Sequence, residues 1–128
     1  MKVLLDTCTF LWLVLDGKEL SPKAQQLIQN PDNDVFLSSA SCWEIGVKYA
    51  LGRLSLPEPP ARFIPAMREA HGIDSLPIDE TSTLQIEKLP DLHRDPFDRI
   101  LICQAISHGL TVLTPDHLIH RYPIPVEW

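Results

Sequence analysis

The chain has 128 residues, 45% of them hydrophobic and 22% charged, with a formal net charge of −6. That balance describes one ordinary globular domain over residues 1–128, and the acidic surplus argues against a loose grip on nucleic acid through a basic surface. Its longest apolar run, Phe10–Leu15, is far short of the roughly 20 residues a membrane helix needs, and Asp6 interrupts any apolar leader. We therefore expect a cytoplasmic protein with no membrane partner. Cys8, Cys42 and Cys103 are odd in number and show no metal-ligand spacing, which suggests buried free thiols.

In chain order, Val3-Leu4-Leu5 reads as a strand buried on both faces, as in a parallel sheet. Asp6 follows at its carboxyl end, where it either caps the next helix, Cys8–Leu15, or faces the crevice in which open α/β sheets bind ligands. Ser21 and Pro22 start a second helix that runs to about Gln29. Val35-Phe36-Leu37 is a second buried strand, after which Ser38, Ser39 or Ser41 caps a helix closed by Gly52. In this helix Trp43, Gly46, Val47, Ala50 and Leu51 share one apolar stripe, as a core-facing side would. Glu44 lies at the edge of the stripe, one turn before Lys48. It is either half of a surface ion pair or a second acid facing the crevice.

Residues Ala61–His71 read as a helix ended by Gly72, with Pro65 as a possible kink. Ile73–Ile78 is a third strand interrupted by Pro77, and Asp79 caps a helix covering Leu84, Ile86 and Leu89. The string His93-Arg94-Asp95-Pro96-Phe97-Asp98-Arg99 then launches an apolar helix, with Asp95 as N-cap, Pro96 at the first helical position and Asp98 in the first turn. Charge there suits the helix dipole, but it also gathers two acids and three potential cations at one helix start. Leu110–Leu113 is a fourth strand, and Asp116 just beyond it is either a turn residue or a fourth acid at the carboxyl edge. Pro123 and Pro125 confine a last strand, Tyr122–Trp128, to the sheet edge.

The alternation of strands and helices predicts an α/β fold, a central, mostly parallel sheet with helices on both faces. Successive strand ends then bring Asp6, Glu44, Asp98 and Asp116 to one edge. Four carboxylates in one cleft repel unless a cation compensates, and an oxygen-only set selects hard ions such as Mg²⁺ or Mn²⁺. Metal-assisted phosphodiester hydrolysis is the chemistry such a set performs.

Four segments carry a resemblance. Leu4–Thr7, Ser39–Ile45, His93–Arg99 with the helix behind it, and Leu113–Asp116 together resemble a PIN-domain protein. More narrowly they are similar to VapC-type toxins of bacterial toxin–antitoxin pairs, in the branch marked by the HRDPFDR string. The resemblance covers the whole chain and implies a single PIN-like α/β/α sandwich. It implies a Mg²⁺- or Mn²⁺-dependent endoribonuclease that cleaves RNA, forms a homodimer and is silenced by a small cognate antitoxin. The family's catalytic and metal-binding acids fall on Asp6, Glu44, Asp98 and Asp116, with Thr7 and Thr114 beside them. Asp95 belongs to the branch motif, and Arg94 and Arg99 are either phosphate contacts or partners of nearby acids. Cys8 departs from the branch, which more often has His there. A different class, a non-catalytic PIN-like module binding RNA or protein, would be favoured by loss of an acid, and all four are present. A phosphatase with Asp6 as nucleophile would want a second Asp where Cys8 stands.

Overall fold

Residues 1–128 are described by a computed structural model. Five strands form one all-parallel sheet: β1 (Lys2–Leu5), β2 (Asp34–Ser38), β3 (Ile73–Leu76), β4 (Thr111–Leu113) and β5 (Val126–Glu127). Their order is β3-β2-β1-β4-β5, so the chain builds outward from β1 on one side and then returns to its other flank. The reversal leaves a crevice at the carboxyl ends of β1 and β4, the topological place where doubly wound sheets take ligands. Six helices cover the sheet: α1 (Thr7–Val14), α2 (Pro22–Gln29), α3 (Ser39–Ala50), α4 (Pro60–His71), α5 (Glu80–Leu84) and α6 (Pro96–His108).

Both faces of the sheet are buried, because β1 alternates between two cores. Val3 and Leu5 pack with Phe10, Ile28, Ile45 and Ile64 on one side. Leu4 packs with Leu101, Ile102 and Ala105 of α6 on the other. Each such large side chain contributes about 1.5–3 kcal/mol by leaving water. The expected caps are in place: Ser21 accepts from the Ala24 N–H, Ser38 from Ala40, and Asp95 from Phe97. Gly72 and Gly109 end α4 and α6 in the left-handed conformation, at φ +65° each, where a Cβ would add strain.

Five expectations need correction. The Trp43–Leu51 stripe of α3 faces outward: Trp43 is 70% and Leu51 61% exposed. The helix instead buries Ala40, Ser41, Glu44 and Ile45, because its inner side must reach the polar carboxyl edge as well as the core. The third strand stops at Leu76, before Pro77, which has no N–H to continue the ladder. The segment behind Asp79 is α-helical only to Leu84 and then tightens into a 3-10 turn, Gln85–Lys88, leaving Leu84 and Ile86 exposed. The last strand shrinks to Val126–Glu127, since Pro123 and Pro125 exclude the rest. Of the thiols only Cys103 is buried, and Cys8 and Cys42 are half-buried. The surplus apolar residues of α1 are partly covered, with Trp12 tilted against Trp128 at 5.7 Å between ring centres. No helix is long and apolar enough to cross a membrane.

Gln104, fully buried on α6, ties three elements together. Its Oε1 accepts from the Ser38 hydroxyl at 2.6 Å, and its Nε2 donates to the Pro77 carbonyl at 3.1 Å. Replacing Gln104 by Leu keeps the volume but strands both partners in the interior. We expect a loss of about 1–3 kcal/mol in denaturant unfolding, whereas an exposed Gln25→Leu control should move stability by less than ~0.5 kcal/mol.

Candidate metal centre

Each acid reaches the crevice through a local rule. Asp6 ends β1 and caps α1, so the two alternatives left open by the sequence are both true. Its Oδ1 accepts the Thr7 N–H at 2.7 Å, while Oδ2 accepts the Thr114 hydroxyl at 2.7 Å and lies 3.4 Å from the Cys8 thiol. Ser41, Glu44 and Lys48 share the inner face of α3 by helical spacing. The Thr7 hydroxyl donates to Ser41 Oγ at 2.8 Å, joining α1 to that face. Lys48 donates to Glu44 Oε2 at 2.6 Å. Glu44 Oε1 is buried and has no partner.

Asp98 occupies the first turn of α6, and Asp116 follows β4 in a turn where its Oδ1 accepts the Leu118 N–H at 2.8 Å. Between these acids stands His93, with Nε2 2.7 Å from Asp98 Oδ2 and 3.4 Å from Asp116 Oδ2. One ligand-type atom from each of the three groups lies within 4.8 Å of the others. A cleft of about 220 Å³ is lined by Asp6, Thr7, Glu44, Asp95, Asp98 and Asp116, with Cys8, Leu11 and Lys48 at its walls. The fold thus brings all four expected acids to one opening, and Asp95 with them. Thr114 sits behind Asp6, accepting the Asp116 N–H at 3.1 Å.

The two arginines lie elsewhere. Arg99 turns back to the His93 carbonyl at 3.1 Å and to Asp91 at 3.4 Å, the pairing with a nearby acid that was its alternative to a phosphate contact. Arg94 is exposed and borders a neighbouring groove with Thr83, Ile86 and Ile100. One cleft residue, Lys48, and a buried neighbour of the cleft, His93, were missed by sequence reasoning. Lys48 reads as half of a surface pair, although the spacing Ser41-x-x-Glu44-x-x-x-Lys48 puts all three on one helix face. His93 reads only as a charge near a helix start, and no periodicity reports where a loop side chain points.

Gathering these groups changes their acidity. Burial pushes the Asp98 carboxyl up to about 7, the charges of Asp6 and Asp95 push the same way, and His93 opposes them. Burial likewise raises Asp6, against the hydrogen bonds it accepts from Thr114 and Cys8. Cys8 is pushed up to about 12 by burial and by Asp6, so its thiol stays protonated. Hydrogen bonding to Glu44 raises Lys48, which keeps its charge. The arrangement is a cation trap with one unsatisfied carboxylate oxygen.

Comparison with known proteins places the chain in a family and a fold. The PIN domain family matches residues 3–125. Ribonuclease VapC16 of Mycobacterium tuberculosis (strain ATCC 25618 / H37Rv) is 36% identical over 61 residues, a match spanning 48% of this chain and 43% of that protein. Ribonuclease VapC22 of the same organism is 28% identical over 127 residues, covering 97% of this chain and 95% of that protein. Among solved structures, VapBC2 from Rickettsia felis bound to a DNA fragment from their promoter superposes with a TM-score of 0.74, over 99% of this chain and 98% of that one. Its 16% identity makes that a likeness of fold.

The raised Asp98 carboxyl has a measurable consequence. Between the usual 3.8 and about 7 the native state keeps a proton that the unfolded chain has released. Unfolding then releases it, so metal-free stability should fall as pH rises through that window and level off above it. A divalent ion competes with the same proton, so its stabilising effect should grow as pH rises through about 7. Thermal melts across this range, with and without Mn²⁺, should show both trends, and Asp98→Asn should flatten the metal-free decline.

Proposed function

Because the chain belongs to the PIN-domain family across residues 3–125, we propose that it is a Mg²⁺- or Mn²⁺-dependent endoribonuclease of the VapC type. The observation that carries this reading is the acid cleft with its orphaned oxygen. An unpaired buried carboxylate oxygen such as Glu44 Oε1 is costly, and a cation facing it removes the cost. The cleft's carboxylates are hard oxygen donors, which suits Mg²⁺ or Mn²⁺. Both matched relatives are named ribonucleases, which supports RNA as the substrate class. The fold neighbour is a VapBC assembly, which supports a small antitoxin as the silencing partner.

In this reading Asp6, Glu44, Asp98 and Asp116 hold the ion. When bound, it supplies a water of lowered pKa and a Lewis acid for a phosphodiester oxygen. The protein's own contribution is orientation. Thr114 and Thr7 hold Asp6 and the α1–α3 contact in place. Lys48, on the rim, offers the one ammonium among the cleft residues to an incoming phosphate. Arg94 and Arg99 border the adjacent groove, where the exposed Arg94 guanidinium is placed to meet the RNA backbone beyond the scissile bond. A homodimer belongs to the same reading, since the outward stripe of Trp43, Val47 and Leu51 is apolar surface that association would cover.

Cleavage of RNA by the purified chain should require Mg²⁺ or Mn²⁺ and stop with EDTA. Robust cleavage in chelator would remove the metal from the mechanism, and RNA bound but uncut would transfer the chain to the binding-module class. Asp95 and Asp98 should separate when each is changed to Asn. Asp95 accepts a backbone N–H, which Asn can also do, so Asp95→Asn should keep the fold and appreciable activity, losing at most about 1 kcal/mol. Asp98→Asn should fold yet lose nearly all metal-dependent cleavage, because an amide cannot replace the charge. Rates and melts of both variants decide this. Both dead but folded would mean that Asp95 is a fifth working acid.

A further inference from the structure

We infer that His93 positions the Asp98 and Asp116 carboxylates for the ion, working from behind the cleft. The inference rests on the metal reading above and deepens it. The imidazole side chain is only 11% exposed, and the ring is not among the groups lining the cleft. Its Nε2 lies 2.7 Å from Asp98 Oδ2 and 3.4 Å from Asp116 Oδ2. Nε2 is buried and makes no hydrogen bond of good geometry to either oxygen, so what ties it to the two carboxylates is close approach.

The other ring nitrogen sets the tautomer. Nδ1 accepts the Asp95 backbone N–H at 3.3 Å, so in the neutral ring the proton is on Nε2, facing the two carboxylates. The same bond argues against Nε2 as a metal ligand, since ligation would move the ring proton onto Nδ1, against the Asp95 N–H. A ring nitrogen placed beside two ligating carboxylates restricts how each can turn, and outer partners of this kind tune metal sites strongly.

The loop that carries His93 has neither helix nor strand, yet it is clamped. The Tyr122 hydroxyl accepts the N–H of His93 at 2.9 Å and of Leu92 at 3.3 Å, and donates to the Pro90 carbonyl at 3.0 Å. Arg99, one turn into α6, holds the His93 carbonyl at 3.1 Å. Tyr122 is buried in the second core, so the ring's position is referred to the packed interior.

Two substitutions divide the ring's two duties. Asn in place of His93 can accept the Asp95 N–H but has no donor at the Nε2 position, whereas Gln carries an N–H to about that position and gives up the Nδ1 acceptor. The experiment measures Mn²⁺ affinity of the full chain from the free-ion EPR signal, with a metal-free melt for each variant. We expect His93→Asn to bind Mn²⁺ about tenfold or more weakly and His93→Gln to stay within about threefold of the wild type. Equal losses in both, or a loss confined to Gln, would assign His93 to the fold of its loop and overturn the inference. So would wild-type affinity in His93→Asn. If either variant fails to fold, Tyr122→Phe, which loosens the loop and leaves the ring intact, should weaken Mn²⁺ binding several-fold, and unchanged affinity would overturn the inference. Asp98→Asn run alongside separates the two failures: if it binds Mn²⁺ as tightly as the wild type, it is the metal reading that has fallen.

Discussion

Negative charge held close to negative charge is the constraint on which this structure turns. Asp6, Glu44, Asp98 and Asp116 converge on one cleft, with Asp95 at its wall. In a medium poorer in water than the surface, such a set is tolerated only where each oxygen meets a donor, a cation or a proton. Asp6 is met by a backbone N–H, a hydroxyl and a thiol, and one oxygen of Glu44 by Lys48. Asp98 is met by His93 and, below about pH 7, by a proton of its own. The remaining oxygen of Glu44 has nothing. The edge of the sheet is therefore complementary to a hard cation in charge and in donor type.

The fold supplies the positions. Because the chain leaves β1 for β2 and β3 and returns to β4 on the other flank, two strand ends part at the centre of the sheet. Asp6 and Asp116 stand at those ends, with Asp98 leaning over them from the first turn of α6 and Glu44 from the second turn of α3. Helix N-termini favour nearby negative charge, which lowers the cost of crowding acids there. The interior secures this geometry through Gln104, which bonds the start of α3 to the residue after β3 from within α6. Packing and polar satisfaction thus serve the same edge.

The acidic surplus that seemed to argue against nucleic acid looks different once the acids are located. Several of the charges behind the net −6 lie in one cleft rather than spread across a contact surface. A divalent ion bound there would offset much of that local negative charge. Lys48 lies at that opening, and Arg94 and Arg99 border the neighbouring groove.

Much of this was legible in the residues. Val3-Leu4-Leu5 and Val35-Phe36-Leu37 announced strands buried on both faces, and Ser21-Pro22, Asp95-Pro96, Gly72 and Gly109 announced helix ends, because capping and backbone restriction act within a few residues. The acids' convergence followed from strand–helix alternation alone. Two things were decided only by tertiary structure. Which side of α3 faces inward was one: its apolar stripe predicted burial of Trp43, but the polar edge of the sheet claimed the opposite side for Ser41 and Glu44. The place of His93 was the other. It depends on Tyr122 and Arg99 gripping an irregular loop through bonds spanning 29 and 6 residues, respectively. Local sequence determines which backbone conformations are cheap. Where a side chain points from an irregular segment is set by distant partners, and these meet only when the core has closed.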